Sequence, residues 1–282
     1  MPLDTAIGPH TITATLNYLG LTPAARAHDR PYTLAYAPTD GTPRSNIVAE
    51  PHAVSIRDIR SAGRAFSLDR EGFAVVQHTS AVTDFQDEQQ IREIYYAEAE
   101  RLMKEVTGAD KVFVFDHTLR KRVPGLDDNR AGLRQPASRV HVDHTDRSGP
   151  QRVRDFLPDE AEELLRGRMQ VINLWRPINH PVYDAPLAVA DASTVSFADL
   201  VPADLIYPNR VGETYSIRFN PDHRWYYVEQ QRPEEVLLLK CYDSRTDVAR
   251  FAPHGAFLAP DAPADAPTRE SIELRTFVFH KP

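Results

Sequence analysis

From Arg139 to the C-terminus the chain reads as strand after strand, and this constrains its fold more than any other feature. Residues 169–175, 214–219, 225–229, 235–242 and 271–279 are rich in β-branched and aromatic side chains. With the stretches around His141 and His254 they make about seven or eight strands, broken by one helical stretch over 155–167. A doubly wound parallel sheet needs strands and helices in alternation, and none is seen. A mainly β fold fits instead: a two-sheet jelly roll or barrel with helices packed outside. The 23 prolines punctuate short elements in the way such a fold requires. Upstream, residues 11–18, 32–36, 54–57, 73–76 and 111–116 read as further strands. Residues 87–106 form the clearest helix, with Ile91, Ile94, Tyr95, Ala99, Leu102 and Val106 on one stripe and Gly108 as a stop. Residues 123–138 are polar, contain Gly and Pro, and read as a loop leading into the His141 strand. We expect one domain over 1–282, with residues 1–138 built onto the core.

Composition excludes several functions. A formal charge of −7 speaks against a nucleic-acid binder. No apolar run approaches the roughly 18 residues of a membrane span, and residues 1–18 show no signal-peptide pattern. The single cysteine, Cys241, lies in an apolar strand and reads as a packed thiol, which fits a reducing cytoplasm. Among the 12 glycines the closest two are Gly125 and Gly132. Neither the dinucleotide-binding glycine motif nor the phosphate-binding loop is possible at that spacing, and a Rossmann methyl-donor site goes with them.

The chemistry is concentrated in Arg139-Val140-His141-Val142-Asp143-His144-Thr145. Side chains alternate along a strand, so His141 and Asp143 share one face and Val140 and Val142 the other. One imidazole and one carboxylate on one face are two legs of a facial triad. A later His supplies the third and leaves positions open for oxygen and a co-substrate, which suits ferrous iron. His254, in Pro253-His254-Gly255 at a strand end, is the candidate. His144-Thr145-Asp146 is an overlapping H-x-D, so the register of the site has a built-in alternative.

Beyond His254, Arg269-Glu270-Ser271 opens the last strong strand, and Arg269, Ser271, Glu273 and Arg275 share one of its faces. An Arg with a Ser two residues on can grip a carboxylate with a bidentate pair and a hydroxyl. This order of triad, distal His and Arg-x-Ser is similar to that of 2-oxoglutarate-dependent oxygenases. Arg275 competes for the clamp, but the spacing selects Arg269. Asn173 and Trp175 share a strand face. They either wall the co-substrate pocket, with the amide bonding a carboxylate, or pack in the core. Arg176 is expected to pair with Asp184 or Asp191, Lys240 with Asp243 or Glu235, and His117 to make a structural hydrogen bond. Residues 223–227 read as an aromatic core strand.

These motifs resemble those of a bacterial and fungal oxidoreductase family. It includes the cephem 7α-hydroxylation component, gibberellin desaturase-like enzymes and an endoperoxide-forming fungal oxygenase. The resemblance spans nearly the whole chain. It is carried by Val114-Phe115-Asp116-His117-Thr118, Val140-His141-Val142-Asp143, Asn173-Leu174-Trp175-Arg176-Pro177, Lys240-Cys241-Tyr242-Asp243-Ser244, Pro253-His254-Gly255 and Arg269-Glu270-Ser271. It implies a double-stranded β-helix, most of it within 139–282, and an Fe(II)- and 2-oxoglutarate-dependent dioxygenase. Iron would sit on His141, Asp143 and His254. The co-substrate would bind Arg269 and Ser271, with Asn173, Trp175 and Arg275 as further contacts. A small-molecule substrate of specialised metabolism would be hydroxylated or desaturated with O2 through a ferryl oxidant. His144 departs from the Tyr or Gln usual there. No nucleic-acid or membrane partner is expected, and a monomer or homodimer is. Two rival readings remain: a metal-binding barrel without oxygen chemistry, and a non-catalytic partner of a biosynthetic enzyme.

Overall fold

The computed structural model describes residues 10–23, 30–126 and 134–281. Two sheets carry the described strands. In chain order these are β1 (Thr11–Leu21), β2 (Tyr32–Leu34), β3 (Ile47–Asp58), β4 (Phe73–Gln77), β5 (Lys111–Lys121), β6 (His141–Val142) and β7 (Arg168–Pro177). Then follow β8 (Leu187–Ala190), β9 (Leu200–Ile206), β10 (Val211–Ile217), β11 (Trp225–Tyr227), β12 (Glu235–Asp243), β13 (His254–Ala256) and β14 (Glu270–His280). One sheet runs β1-β3-β11-β8-β13-β6-β10-β9-β2 and the other β4-β12-β7-β14-β5. Strands from the first 138 residues are thus inserted in both sheets.

Alternation along β7 and β14 explains how the layers are stacked. Val171 and Trp175 point into the main core, which also holds Leu16, Val140, Trp225, Tyr226, Leu237 and Cys241 from both sheets. Ile172 and Leu174 point the other way, with Ile272, Leu274, Val236 and Leu238, into a second cluster. That second cluster is covered by the helical segment of residues 88–107, through Ile91, Tyr95, Ala99, Leu102 and Met103. Its pieces are α1 (Glu88–Gln90), a π turn over Ile91–Tyr95, and α2 (Tyr96–Thr107). The Asp87 carboxylate caps its start by accepting from the Gln89 and Gln90 amides. Gly108 ends it with φ 69°, a left-handed conformation that glycine takes without a Cβ penalty. The result is a jelly roll whose inner faces are free to carry a site.

Two expectations are corrected, and two strands are added. The single helix over 155–167 is two helices, α3 (Ser148–Phe156) and α4 (Ala161–Leu164). Pro158 is the cause: it pushes Leu157 to ψ 52° and cannot donate into a helix. Strands β8 and β9 were not anticipated. The first is four apolar residues long, and the second contains Pro202 and Asp204, which dilute its pattern. Arg176 pairs with neither Asp184 nor Asp191. It donates to His78 Nδ1 and to the His78 carbonyl, each at 3.2 Å, and lies 5.6 Å from the Tyr95 ring centre.

Other expectations agree with the contacts. Lys240, wholly buried, donates to Asp243 at 2.7 Å and to Asp69 at 2.8 Å. His117 takes a 2.8 Å bond with the Tyr96 hydroxyl. Trp225, Tyr226 and Tyr227 are core residues, and Cys241 is a buried free thiol. Part of the 123–138 loop lies outside the described residues.

Candidate active site

The central strand β6 is only two residues long, but its neighbours fix it. His141 pairs with His254 of β13 on one side and with Ser216 of β10 on the other. Val140 and Val142 are fully buried in the core, so His141 and Asp143 alternate toward the interior cavity. The donor atoms of His141, Asp143 and His254 lie within 4.8 Å of one another. His141 Nε2 is 3.3 Å from Asp143 Oδ1. Cis ligands at about 2.1 Å from a metal lie roughly 3 Å apart, so the spacing suits a shared ion.

Each ring is oriented by the backbone. His141 Nδ1 donates to the Arg139 carbonyl at 2.8 Å, and His254 Nδ1 to the Ala252 carbonyl at 3.1 Å. Both carbonyls can only accept, so both Nδ1 atoms carry the proton and both Nε2 lone pairs are left for a metal. Burial, then the neighbouring His141, push His254 down to about 4, so that it stays neutral. Burial alone would raise the Asp143 carboxyl. Arg275 beside it, helped by His141 and His254, holds it well below the usual carboxylate range.

Asp143 is also held in one orientation. Its Oδ2 accepts from Asn173 Nδ2 at 2.8 Å and from Arg275 Nε at 3.1 Å, which leaves Oδ1 facing His141. Arg275 is itself bonded to Thr118 at 2.9 Å and to Asp116 at 3.2 Å. Asn173 and Arg275, two of the co-substrate candidates, both bond the Asp143 carboxylate. Residues at this position around a metal set ligand geometry. We expect Arg275→Met to weaken Fe(II) binding by about 10–100-fold while leaving the 2-oxoglutarate KM within about twofold. An iron titration and a 2-oxoglutarate saturation curve read the two effects separately.

The opposite end of β14 makes a second pocket. Arg120, His141, Trp175, His254, Arg269 and Glu273 surround a cavity of about 10 Å³, room for roughly one water. Arg269 is 1% exposed. Its Nε donates to Ser271 Oγ at 3.0 Å, its Nη1 to the Ala185 carbonyl at 2.9 Å, and its guanidinium lies 4.8 Å from the Trp175 ring centre. Among the described residues no carboxylate lies within ion-pair distance of it. Burial, then the nearby Arg120, lower it to about 9. A buried cation in this condition fits an incoming carboxylate, and the Ser271 hydroxyl keeps its proton to donate. Arg120, which the sequence reading did not single out, lies in both cavities.

The larger cavity, about 620 Å³, is lined by His141, Asp143, His144 and Phe115 among others. His144 is buried, and its Nδ1 has no hydrogen-bond partner. Burial pushes it down to about 4. Asp146, of the alternative H-x-D, turns away and pairs with Arg250.

A family model described as an oxidoreductase/YMDC permease-like domain matches residues 16–279. The hydroxylase/desaturase efuI of Hormonema carpetanum is 34% identical, over 98% of each chain. The Fe(II)/2-oxoglutarate-dependent dioxygenase nvfI of Aspergillus novofumigatus is also 34% identical, over 86% of this chain and 88% of that one. The solved structure of the iron and alpha-ketoglutarate-dependent endoperoxidase NvfI superposes with a TM-score of 0.83 at 30% identity, over 96% and 99% of the two chains. The chain belongs to this family of Fe(II)/2-oxoglutarate-dependent dioxygenases. It is an enzyme with a jelly-roll core, and its cofactor and co-substrate are Fe(II) and 2-oxoglutarate. Among the described residues no helix is long and apolar enough to cross a membrane. In a dioxygenase of this family the His141, Asp143, His254 cluster has the donor set that ferrous iron takes, two imidazoles and one carboxylate with open positions.

Proposed function

We propose that His141, Asp143 and His254 hold Fe(II), and that Arg269 and Ser271 hold the distal carboxylate of 2-oxoglutarate. On this reading the 620 Å³ cavity receives a small molecule of a biosynthetic pathway for hydroxylation or desaturation. The observation that carries the reading is Arg269, a fully buried guanidinium without a carboxylate partner among the described residues, in a pocket shared with His141 and His254. When bound, iron and 2-oxoglutarate supply the oxidation: the 2-oxo acid and O2 give succinate and carbon dioxide, with one oxygen left to oxidise a substrate C–H bond.

The chain's own residues prepare that chemistry. Arg275 holds the Asp143 carboxyl well below the usual carboxylate range and so favours its ionised form, and Asn173 fixes which oxygen it presents. The two backbone carbonyls take the Nδ1 side of each histidine and leave Nε2 as the atom that would bind metal. Trp175 backs the Arg269 guanidinium and keeps bulk water from it. The lone buried Cys241 fits a reducing compartment, and we take the enzyme to be cytoplasmic. The test is conversion of 2-oxoglutarate to succinate. It should need added Fe(II), and Asp143→Gly should abolish it. Undiminished turnover in Asp143→Gly, or turnover after full iron removal, would reject the assignment.

A further inference from the structure

His144 escapes the strand alternation, because β6 ends at Val142 and the chain bends at Asp143. Its imidazole lines the same 620 Å³ cavity as His141 and Asp143, yet it belongs neither to their cluster with His254 nor to the Arg269 pocket. The residue is 7% exposed, and three contacts hold it in place. On one side Asp143 is fixed by Asn173 and Arg275. On the other, Thr145 donates its amide to Ser148 Oγ at 2.8 Å and its hydroxyl to the Glu213 carboxylate. Phe115 meets the ring edge-on, with centroids 6.2 Å apart, and is itself stacked on Phe277 at 4.1 Å.

The two ring nitrogens have different surroundings. Nδ1 is sealed from solvent and has no hydrogen-bond partner. Nε2 has no partner among the described residues either, but it is not sealed. A neutral imidazole carries its proton on one nitrogen only. On Nδ1 that proton would be a buried donor with nothing to accept it, which costs more than the missed bond itself. The proton therefore belongs on Nε2, and the open side of this nearly buried ring is the cavity it lines.

We propose that His144 is a specificity-determining residue. It donates from Nε2 to an acceptor oxygen on the organic substrate, a carbonyl above all, while the apolar body of that molecule lies against Phe115. The proposal rests on reading this cavity as the substrate chamber. The donor is held on anchored backbone next to Asp143, so the bond would set which carbon faces the metal. A molecule of the same shape without the oxygen would leave the Nε2 proton unpaired in a site stripped of water, and such sites discriminate strongly.

The test uses two probes of matched shape, 2-acetylnaphthalene and 2-isopropenylnaphthalene, which differ only in C=O against C=CH2. Each is measured by equilibrium dialysis against protein loaded with Fe(II) and 2-oxoglutarate under nitrogen. The ketone should bind at least about fivefold more tightly. His144→Phe, which keeps a ring against Phe115 but has no donor, should abolish the preference, and His144→Gln, which keeps a donor, should retain part of it. Equal binding of the two probes, no binding of the ketone, or a preference unchanged in His144→Phe overturns the proposal. A second measurement needs no probe. In protein labelled with 15N-histidine and saturated with diamagnetic Zn(II) at neutral pH, the His144 signals, identified by their loss in His144→Gln, should report the Nε2–H tautomer. A proton on Nδ1, in the neutral or the charged ring, overturns the proposal whatever the probes do. The iron–oxoglutarate charge-transfer absorbance of the dialysis samples reports the metal centre on its own. Its absence would count against the iron assignment, while the probe ratio and the tautomer still decide the role of His144.

Discussion

His141→Ala and His254→Ala are each expected to lose more than about 100-fold in Fe(II) affinity, the upper end for removing even an outer-shell partner of a metal. All turnover should go with it. The structure gives the reason the loss is so large. Each imidazole is locked by its Nδ1 bond to a backbone carbonyl, β6 and β13 are paired at these two residues, and the described cluster has three donors, so removing one leaves two. The fold should survive, because Val140 and Val142, not the histidines, hold β6 in the core. Iron content, succinate yield and a thermal melt on the same samples check the three parts. A variant that keeps parental iron affinity means the ligand set is wrong.

Arg269→Ala is expected to raise the KM for 2-oxoglutarate by at least about tenfold, since a charge-assisted bond contributes on the order of 1.5–3 kcal/mol and about 1.4 kcal/mol is a factor of ten. Iron affinity should be nearly unchanged, because Arg269 touches no candidate ligand. Ser271→Ala should do less, as it removes one neutral donor and loosens the Arg269 Nε contact of 3.0 Å. The competing candidate is separated by geometry. Arg269 and Arg275 are six residues apart, about 20 Å along a regular strand, and cannot both hold one small diacid. Arg275 is already committed to Asp143, Asp116 and Glu273. A large KM effect in Arg275→Met with little in Arg269→Ala would reverse the assignment.

Alternation made much of this legible before any coordinates. It put His141 beside Asp143 and set Ser271, Glu273 and Arg275 on one face of β14, and those side chains do line the two cavities or touch residues that do. What alternation cannot give is the partner across the sheet. Asn173 and Arg275 were legible as inward residues, yet their meeting at Asp143 depends on β7 and β14 pairing in the register Arg275↔Asn173, which is non-local information. Arg120 was missed for the same reason. In Leu119-Arg120-Lys121 it looks like a solvated basic run, and only its pairing opposite Ser271 turns it inward. The break between α3 and α4 was legible at Pro158. There the apolar spacing of Leu157, Ala161, Leu164 and Leu165 outweighed the proline signal in the reading, and the proline prevailed in the structure.

The central claim is that one iron sits on His141, Asp143 and His254 and not on the overlapping motif. The most direct measurement is the charge-transfer absorbance that forms when Fe(II) and 2-oxoglutarate are added to the protein without oxygen. The band should form in the parent and in His144→Ala and Asp146→Ala, and fail in His254→Ala and His141→Ala. A band that persists in His254→Ala, or that vanishes in His144→Ala and Asp146→Ala while Asp143→Ala keeps it, would contradict the account.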